Sequence, residues 1–162
     1  VFTRPLEVGG AKALIGYTEI DKLEQLTPET IAGATLFQDQ FRKSEWGGAN
    51  EAHLLGNGWI GVLGHISYME KGYIRHYHAM TFAYNPKTGT RTPIKIIAAR
   101  NQFPEGPAKR PDLTDVIFSG GIHRLSGGKA MLYVGVSDAE AHRILIDDPF
   151  AEYEAFEPAA PV

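Results

Sequence analysis

The chain has 162 residues, 43% hydrophobic and 22% charged, with a formal net charge of −3. That balance suits a globular protein able to bury a real core and argues against nucleic acid or an anionic membrane as partner. Cysteine is absent, which removes disulfides and thiolate metal sites, and no apolar run approaches the roughly 18–20 residues that cross a bilayer. The composition fits a cytoplasmic protein.

Val1-Phe2-Thr3-Arg4-Pro5 reads as the last residues of a strand whose first half lies elsewhere, so the chain is expected to be part of a larger fold. Residues 13–20 (Ala13 to Ile20) predict a strand. Thr27-Pro28-Glu29 predicts a short helical turn, with Thr27 as N-cap, Pro28 at the first helical position and Gly33 as its stop. Glu51 to Leu55, Gly56-Asn57-Gly58 and Trp59 to Ile66 form a hairpin, because Asn-Gly supplies the positive φ angles of a tight turn. A second hairpin joins Tyr77–Tyr84 to Ile94–Ala99 through Asn85-Pro86-Lys87-Thr88-Gly89. A third joins Val116–Phe118 and Ile122–Leu125 to Lys129–Val136 through Ser126-Gly127-Gly128, and Ala141–Ile146 adds a last strand. Residues 151–162 form an acidic, Ala/Pro-rich tail, expected as a mobile end or a surface strap. Meander hairpins at this spacing fit a sandwich, a barrel or propeller blades, and the pattern alone leaves all three open.

Four clusters could carry chemistry. Trp46-Gly47-Gly48-Ala49-Asn50-Glu51-Ala52-His53 is either a bulged loop satisfying its own backbone or a sugar-contacting loop with Trp46 as platform. His65 ends an apolar run and is either a satisfied core imidazole or a functional group. His76 and His78 share a strand face opposite Tyr77, but no carboxylate stands at clear ligand spacing, so no metal is expected. Arg100 to Pro111 is a proline-stiffened loop with three cations, either a solvated face or an anion site. Ser137-Asp138 ends another apolar strand, where Asp138 either caps a turn or reaches a ligand. No phosphate loop, nucleophile elbow or dinucleotide fingerprint is present, and no cofactor is expected.

The stretches Trp59–His65, Tyr77–Pro86, Asp115–Gly121 and Tyr133–Asp138 resemble the C-terminal half of the five-bladed propeller mannoside phosphorylases, glycoside hydrolase family 130. A nearer resemblance is to a related group, once classed as a domain of unknown function, that includes the mannosyltransferase/phosphorylases of β-1,2-mannan in trypanosomatid parasites. It rests on Phe2–Pro5, Trp46–His53, Glu105–Pro111 and Ser137–Arg143. The resemblance implies an all-β chain holding about three blades of a five-bladed propeller in residues 1–150, with the N-terminal blades missing. It implies phosphate binding by Arg4, His65 and Tyr77, and sugar contacts by Asp138. Asn50, Glu51, Lys109 and Arg110 lie in the nearer group's own motifs and are candidate substrate contacts. The implied partners are phosphate, a mannose-containing oligosaccharide and the missing N-terminal half, which would supply a general-acid Asp from upstream of Val1. The chain departs from the wider family at Ser119-Gly120-Gly121 and Val136-Ser137. A binding module, a structural fragment and a plain hydrolase are the competing readings.

Overall fold

Two neighbouring residues explain the architecture. Val62 and Leu63 are both fully buried, yet successive residues of a strand point to opposite faces. Their strand is therefore covered on both sides, as its uninterrupted apolar run requires. In the computed structural model, which describes residues 1–5 and 14–158, this strand is the second of an antiparallel meander. Its strands are β4 (Glu45–Leu54), β5 (Ile60–Met69), β6 (Arg75–Tyr84) and β7 (Lys95–Ala98). Before it lies a three-stranded sheet of β1 (Phe2–Thr3), β2 (Gly16–Tyr17) and β3 (Thr35–Leu36). After it come β8 (Asp115–Leu125), β9 (Lys129–Val136) and β10 (Glu140–Asp147).

The two faces of the meander feed two cores. Val62, Met80, Phe82 and Tyr84 join Ile15 and Phe37, with Phe2 and Tyr17 at the margin. Leu63, Ala79 and Ala83 join Ile117, Leu132, Val134 and Val136 of the following sheet. Backbone pairing between these last two sheets is brief: β6 and β8 run parallel through His76↔Asp115 and Tyr77↔Val116. Strand β4 touches both β1 and β8. The first strands of the three sheets thus adjoin, and the sheets stack face to face in a propeller-like, nearly all-β arrangement.

Several expectations meet their structures here. Thr27 caps the short α1 (Pro28–Ala32), its Oγ1 accepting from Thr30 N at 3.3 Å, and Gly33 closes it. The strand expected over 13–20 is much shorter, since β2 is matched to two-residue neighbours; Ala13 itself lies outside the described residues. Trp46 to His53 is no entrance loop but the body of β4, which begins at Glu45. Ser119-Gly120-Gly121 does not interrupt its strand; β8 runs through it with a bulge. Ser137 and Asp138, at φ 53 and 52, form the tight β9–β10 turn without a glycine.

Residues 151–158 strap the end of the two larger sheets. Phe150 is fully buried and Tyr153 nearly so, inside the same core as Leu63. The short helix α2 (Ala151–Glu154) is held by Arg124, which donates to Asp148 at 2.8 Å and to both carboxylate oxygens of Glu154 at 3.0 and 2.7 Å. Asn57 Nδ2 donates to Tyr153 O at 2.8 Å, and Trp59 Nε1 to Glu157 O at 3.1 Å. The last four residues of the acidic tail lie outside the described residues. Phe150→Ala should cost about 3–5 kcal/mol in urea unfolding, as large aromatic deletions in full cores do. A loss under about 1 kcal/mol would mean the strap is not part of the core.

Candidate functional site

Two glycines let three chain segments meet. A Cβ at Gly47 would lie 2.3 Å from His65 O and 2.6 Å from the Phe41 ring. One at Gly48 would lie 3.0 Å from His65 Cε1 and 3.1 Å from Arg4 Cδ. Neither glycine has a positive φ, so what they supply is space. Immediately downstream, the β4–β5 register shifts: Ala49 pairs with Gly64 and Glu51 with Leu63, leaving Asn50 as the extra residue of a bulge. Bulges re-aim side chains. Here Asn50 Oδ1 reaches His65 Nδ1 at 2.9 Å.

His65 is 4% exposed. Its ring stacks on Tyr77 at 5.7 Å between centroids and 15° between planes, and Phe118 tilts against it at 4.8 Å. Trp46 Nε1 donates to the Tyr77 hydroxyl at 3.3 Å, which leaves the phenolic proton available to donate. Burial, aided by the Arg4 charge, pushes the His65 pKa down to about 4, so the imidazole is neutral near neutral pH. Arg4 is exposed and has no hydrogen bond or ion pair among the described residues. Arg4, Asn50, His65 and Tyr77 are therefore one cluster, joined by Trp46 and Phe118.

The other candidates form a second group. Lys109 N donates to Ser137 O at 3.0 Å, placing Lys109 against the turn that carries Asp138. The Lys109 side chain and Asp138 are exposed and unpaired among the described residues. Arg110 is engaged, its Nε and one terminal nitrogen each 3.1 Å from an oxygen of Asp112, which also accepts from Arg75 at 2.6 Å. Arg100, the third cation of the loop, is buried and holds it from inside, donating to Phe103 O, Pro104 O and Ser137 Oγ. Val116 links the groups: it pairs with Tyr77 on one side and accepts from Ser137 N at 2.8 Å on the other. Two strand spacings separate them, about 10 Å. Glu51 points elsewhere. Its Oε2 accepts from Ile122 N at 2.8 Å, and its Oε1 lies 3.1 Å from His53 Nε2 without hydrogen-bond geometry.

Phe118 carries no polar signal, and sequence reasoning passed over it; its one clue was a large aromatic in a strand otherwise alternating toward Gly120. His76 was also placed only by its strand face. It stacks on Tyr68 and bonds Asp115 through Nδ1 at 2.5 Å, tying β6 to β8 beside Tyr77. Among the described residues no group of His, Cys, Asp or Glu is arranged to hold a metal ion, and no helix is long and apolar enough to cross a membrane. A cavity of about 450 Å³ between β7 and β10 contains none of the clustered residues.

Fold and site together define a propeller-like, all-β protein with a cationic and aromatic cluster beside its adjoining first strands. Residues 1–152 match the family described as "Protein of unknown function (DUF1861)", and the chain belongs to that family. A search of curated proteins gave no match. Among solved structures the chain is similar to MPT-4, a mannose phosphorylase from Leishmania mexicana in complex with phosphate ion. Identity is 34%, over 99% of this chain and 52% of that one, with a TM-score of 0.85. It is also similar to MPT-1, a GDP-Man-dependent mannosyltransferase from Leishmania mexicana, at 36% identity, 85% and 45% coverage and TM-score 0.77. A hypothetical protein from Leishmania major matches at 36% identity, 92% and 47% coverage and TM-score 0.79. The chain spans about half the length of these relatives.

The depressed His65 pKa links stability to pH. Unfolded, the ring titrates at its ordinary 6.5; folded, it resists protonation until about 4. Between those values the unfolded state binds more protons, so stability falls on acidification from pH 6.5 and the loss saturates near pH 4. The share of His65 is up to about 3 kcal/mol. Urea midpoints across that window should fall less in His65→Gln than in the wild type. Parallel profiles would refute the assignment. His78, also held down by burial, contributes equally to both proteins.

Proposed function

We propose that this chain supplies the phosphate- and sugar-binding half of a mannose-processing enzyme that acts on β-mannosides by inverting phosphorolysis or mannosyl transfer. One observation carries the reading: Arg4 and the Tyr77 hydroxyl, both able to donate, flank the buried His65 among residues drawn from separate sheets. Phosphorolysis replaces the base-activated water of a hydrolase with phosphate. The protein then needs donors for the anion, stabilisation of an oxocarbenium-like transition state and one acid for the leaving oxygen. Arg4 suits the first task because its planar fork matches phosphate oxygens. Lys109 and Asp138, about 10 Å from Tyr77, stand where hydroxyls of a sugar joined to that anion would lie. Arg110 would act by fixing Asp112, and Asn50 and Glu51 by shaping the wall.

In this reading residues 1–150 are propeller blades, and the proton donor comes from the part of the enzyme that corresponds to the other half of the relatives. The outward face of β8–β10 supports it. Phe118, Leu125, Tyr133 and Leu145 are 39–55% exposed there, an apolar face of the kind that blades cover. The mannosyltransferase among the relatives supports a second form of the reaction, in which the same donors hold the phosphate of a nucleotide sugar.

In a protein joining this chain to the remaining blades, His65→Ala and Tyr77→Phe should each raise the KM for phosphate about tenfold or more. The KM for mannoside should change less than about threefold, since each variant removes one anion contact. Unchanged dependence on phosphate in both variants would end the assignment. Residues 1–162 alone should not turn over a mannoside; phosphorolysis by the purified chain would contradict the division of labour.

A further inference from the structure

The two ring nitrogens of His65 face different surroundings. Nδ1 meets Asn50 Oδ1 at 2.9 Å. The Arg4 side chain comes near the Cε1–Nε2 edge: the point where a Gly48 Cβ would sit is 3.0 Å from His65 Cε1, 3.6 Å from Nε2 and 3.1 Å from Arg4 Cδ, and the Arg4 charge acts on the ring. A neutral imidazole carries one proton, and both neighbours put it on the same nitrogen. The amide oxygen needs an N–H at Nδ1, while the guanidinium repels an N–H dipole at Nε2 and attracts a lone pair there. The geometry points to Asn50 as the positioning residue that fixes His65 as a hydrogen-bond acceptor at Nε2, so that the site takes its anion as a hydrogen donor. The class of ligand is an oxyanion bearing a hydroxyl, such as hydrogen phosphate. A fully deprotonated anion of the same shape, such as sulfate, is disfavoured. This inference rests on the anion-site reading above.

Donors and acceptors on the page match that ligand. Arg4 and the Tyr77 hydroxyl donate to two oxygens, and Trp46 orients the hydroxyl by donating to it. His65 Nε2 accepts from the third. Sulfate would set a lone pair against the Nε2 lone pair, an unmatched contact worth a factor of about ten or more. Imidazolium could donate instead, but burial and Arg4 keep that form out until the pH falls to about 4. Asn50 reaches its place because it is the unpaired residue of the β4 bulge. A regular ladder would set it directly opposite Leu63 instead of leaving it unpaired beside His65.

Long-range proton–nitrogen correlation of imidazoles in the labelled 162-residue chain, near neutral pH, reads the tautomer directly. The wild type should show His65 protonated at Nδ1. Asn50→Asp, which keeps an oxygen acceptor, should retain that tautomer and raise the pKa of the ring. Asn50→Leu, at an exposed position that tolerates the change, should move the proton to Nε2. Titrated with inorganic phosphate and with sodium sulfate, the wild type should prefer phosphate about tenfold or more, and Asn50→Leu less than about threefold. A wild-type ring protonated at Nε2, or sulfate binding as tightly as phosphate, overturns the inference while leaving an anion site in place. Failure of both anions to bind overturns the anion-site reading and the selectivity with it.

Discussion

Burial of one meander on both of its faces is the constraint from which the rest follows. A strand that must satisfy two cores alternates which one it serves, and β6 does so residue by residue: Ala79 toward the third sheet, Met80 toward the first, then Phe82, Ala83 and Tyr84 in turn. The side facing the first sheet takes Met80, Phe82 and Tyr84, while the side facing the third takes alanines. The small side lets β8 approach until Ser119 Oγ donates to Gly64 O at 2.7 Å. That approach brings Phe118 onto His65. A larger residue at Ala79 would hold the sheets apart, and the site would lose its wall before the fold lost its core.

Two bulges meet across this interface. Asn50 is the extra residue of β4 and Gly120 the extra residue of β8. They are tied together by the residue that follows the first: Glu51 Oε2 accepts the N–H of Ile122, just beyond the second. A bulge leaves a ladder group unpaired, and a buried unpaired N–H costs about 1–3 kcal/mol. Glu51 supplies the acceptor. Gly121, whose Cβ would stand 3.3 Å from the same oxygen, leaves room for it. Glu51 thus serves the site as a brace between two irregularities, with Asn50 on one side re-aimed at His65.

The strands were legible because β9 and β10 alternate with period two, β5 and β6 carry apolar runs bounded by turn signals, and the turns carry Gly-Asn-Gly, Asn-Pro or Ser-Gly-Gly. Three things were not. The β4 and β8 bulges hid inside glycine-rich stretches that read equally well as loops, since sequence gives the glycine but not what approaches it. The short β2 was overextended because its length is set by β1 and β3 and not by its own residues. Phe118 was invisible as a site residue because an aromatic in a strand looks like core until its neighbours are placed. By contrast, Arg4, His65 and Tyr77 could be associated through resemblance, although His65 and Tyr77 lie on β5 and β6 and Arg4 just past the end of β1 in another sheet.

Charges show most plainly where sequence reasoning stops. The loop from Arg100 to Pro111 offers three cations, and Arg75 offers a fourth nearby. Folding gives most of them work. Arg100 holds the loop through two carbonyls and Ser137, while Arg75 and Arg110 share Asp112. A guanidinium already hydrogen-bonded to a carboxylate has little left for a ligand, because moving it exposes a partner that then needs another donor. Of the cations along this wall, Arg4 and Lys109 can meet an anion without breaking an existing bond, since neither side chain has a partner among the described residues. They stand at opposite ends of the wall running from His65 through Tyr77 and Val116 to the Asp138 turn. A ligand with its anionic group at one end and hydroxyls along its length complements that order. An anion with no body attached would leave the Lys109 end without a role.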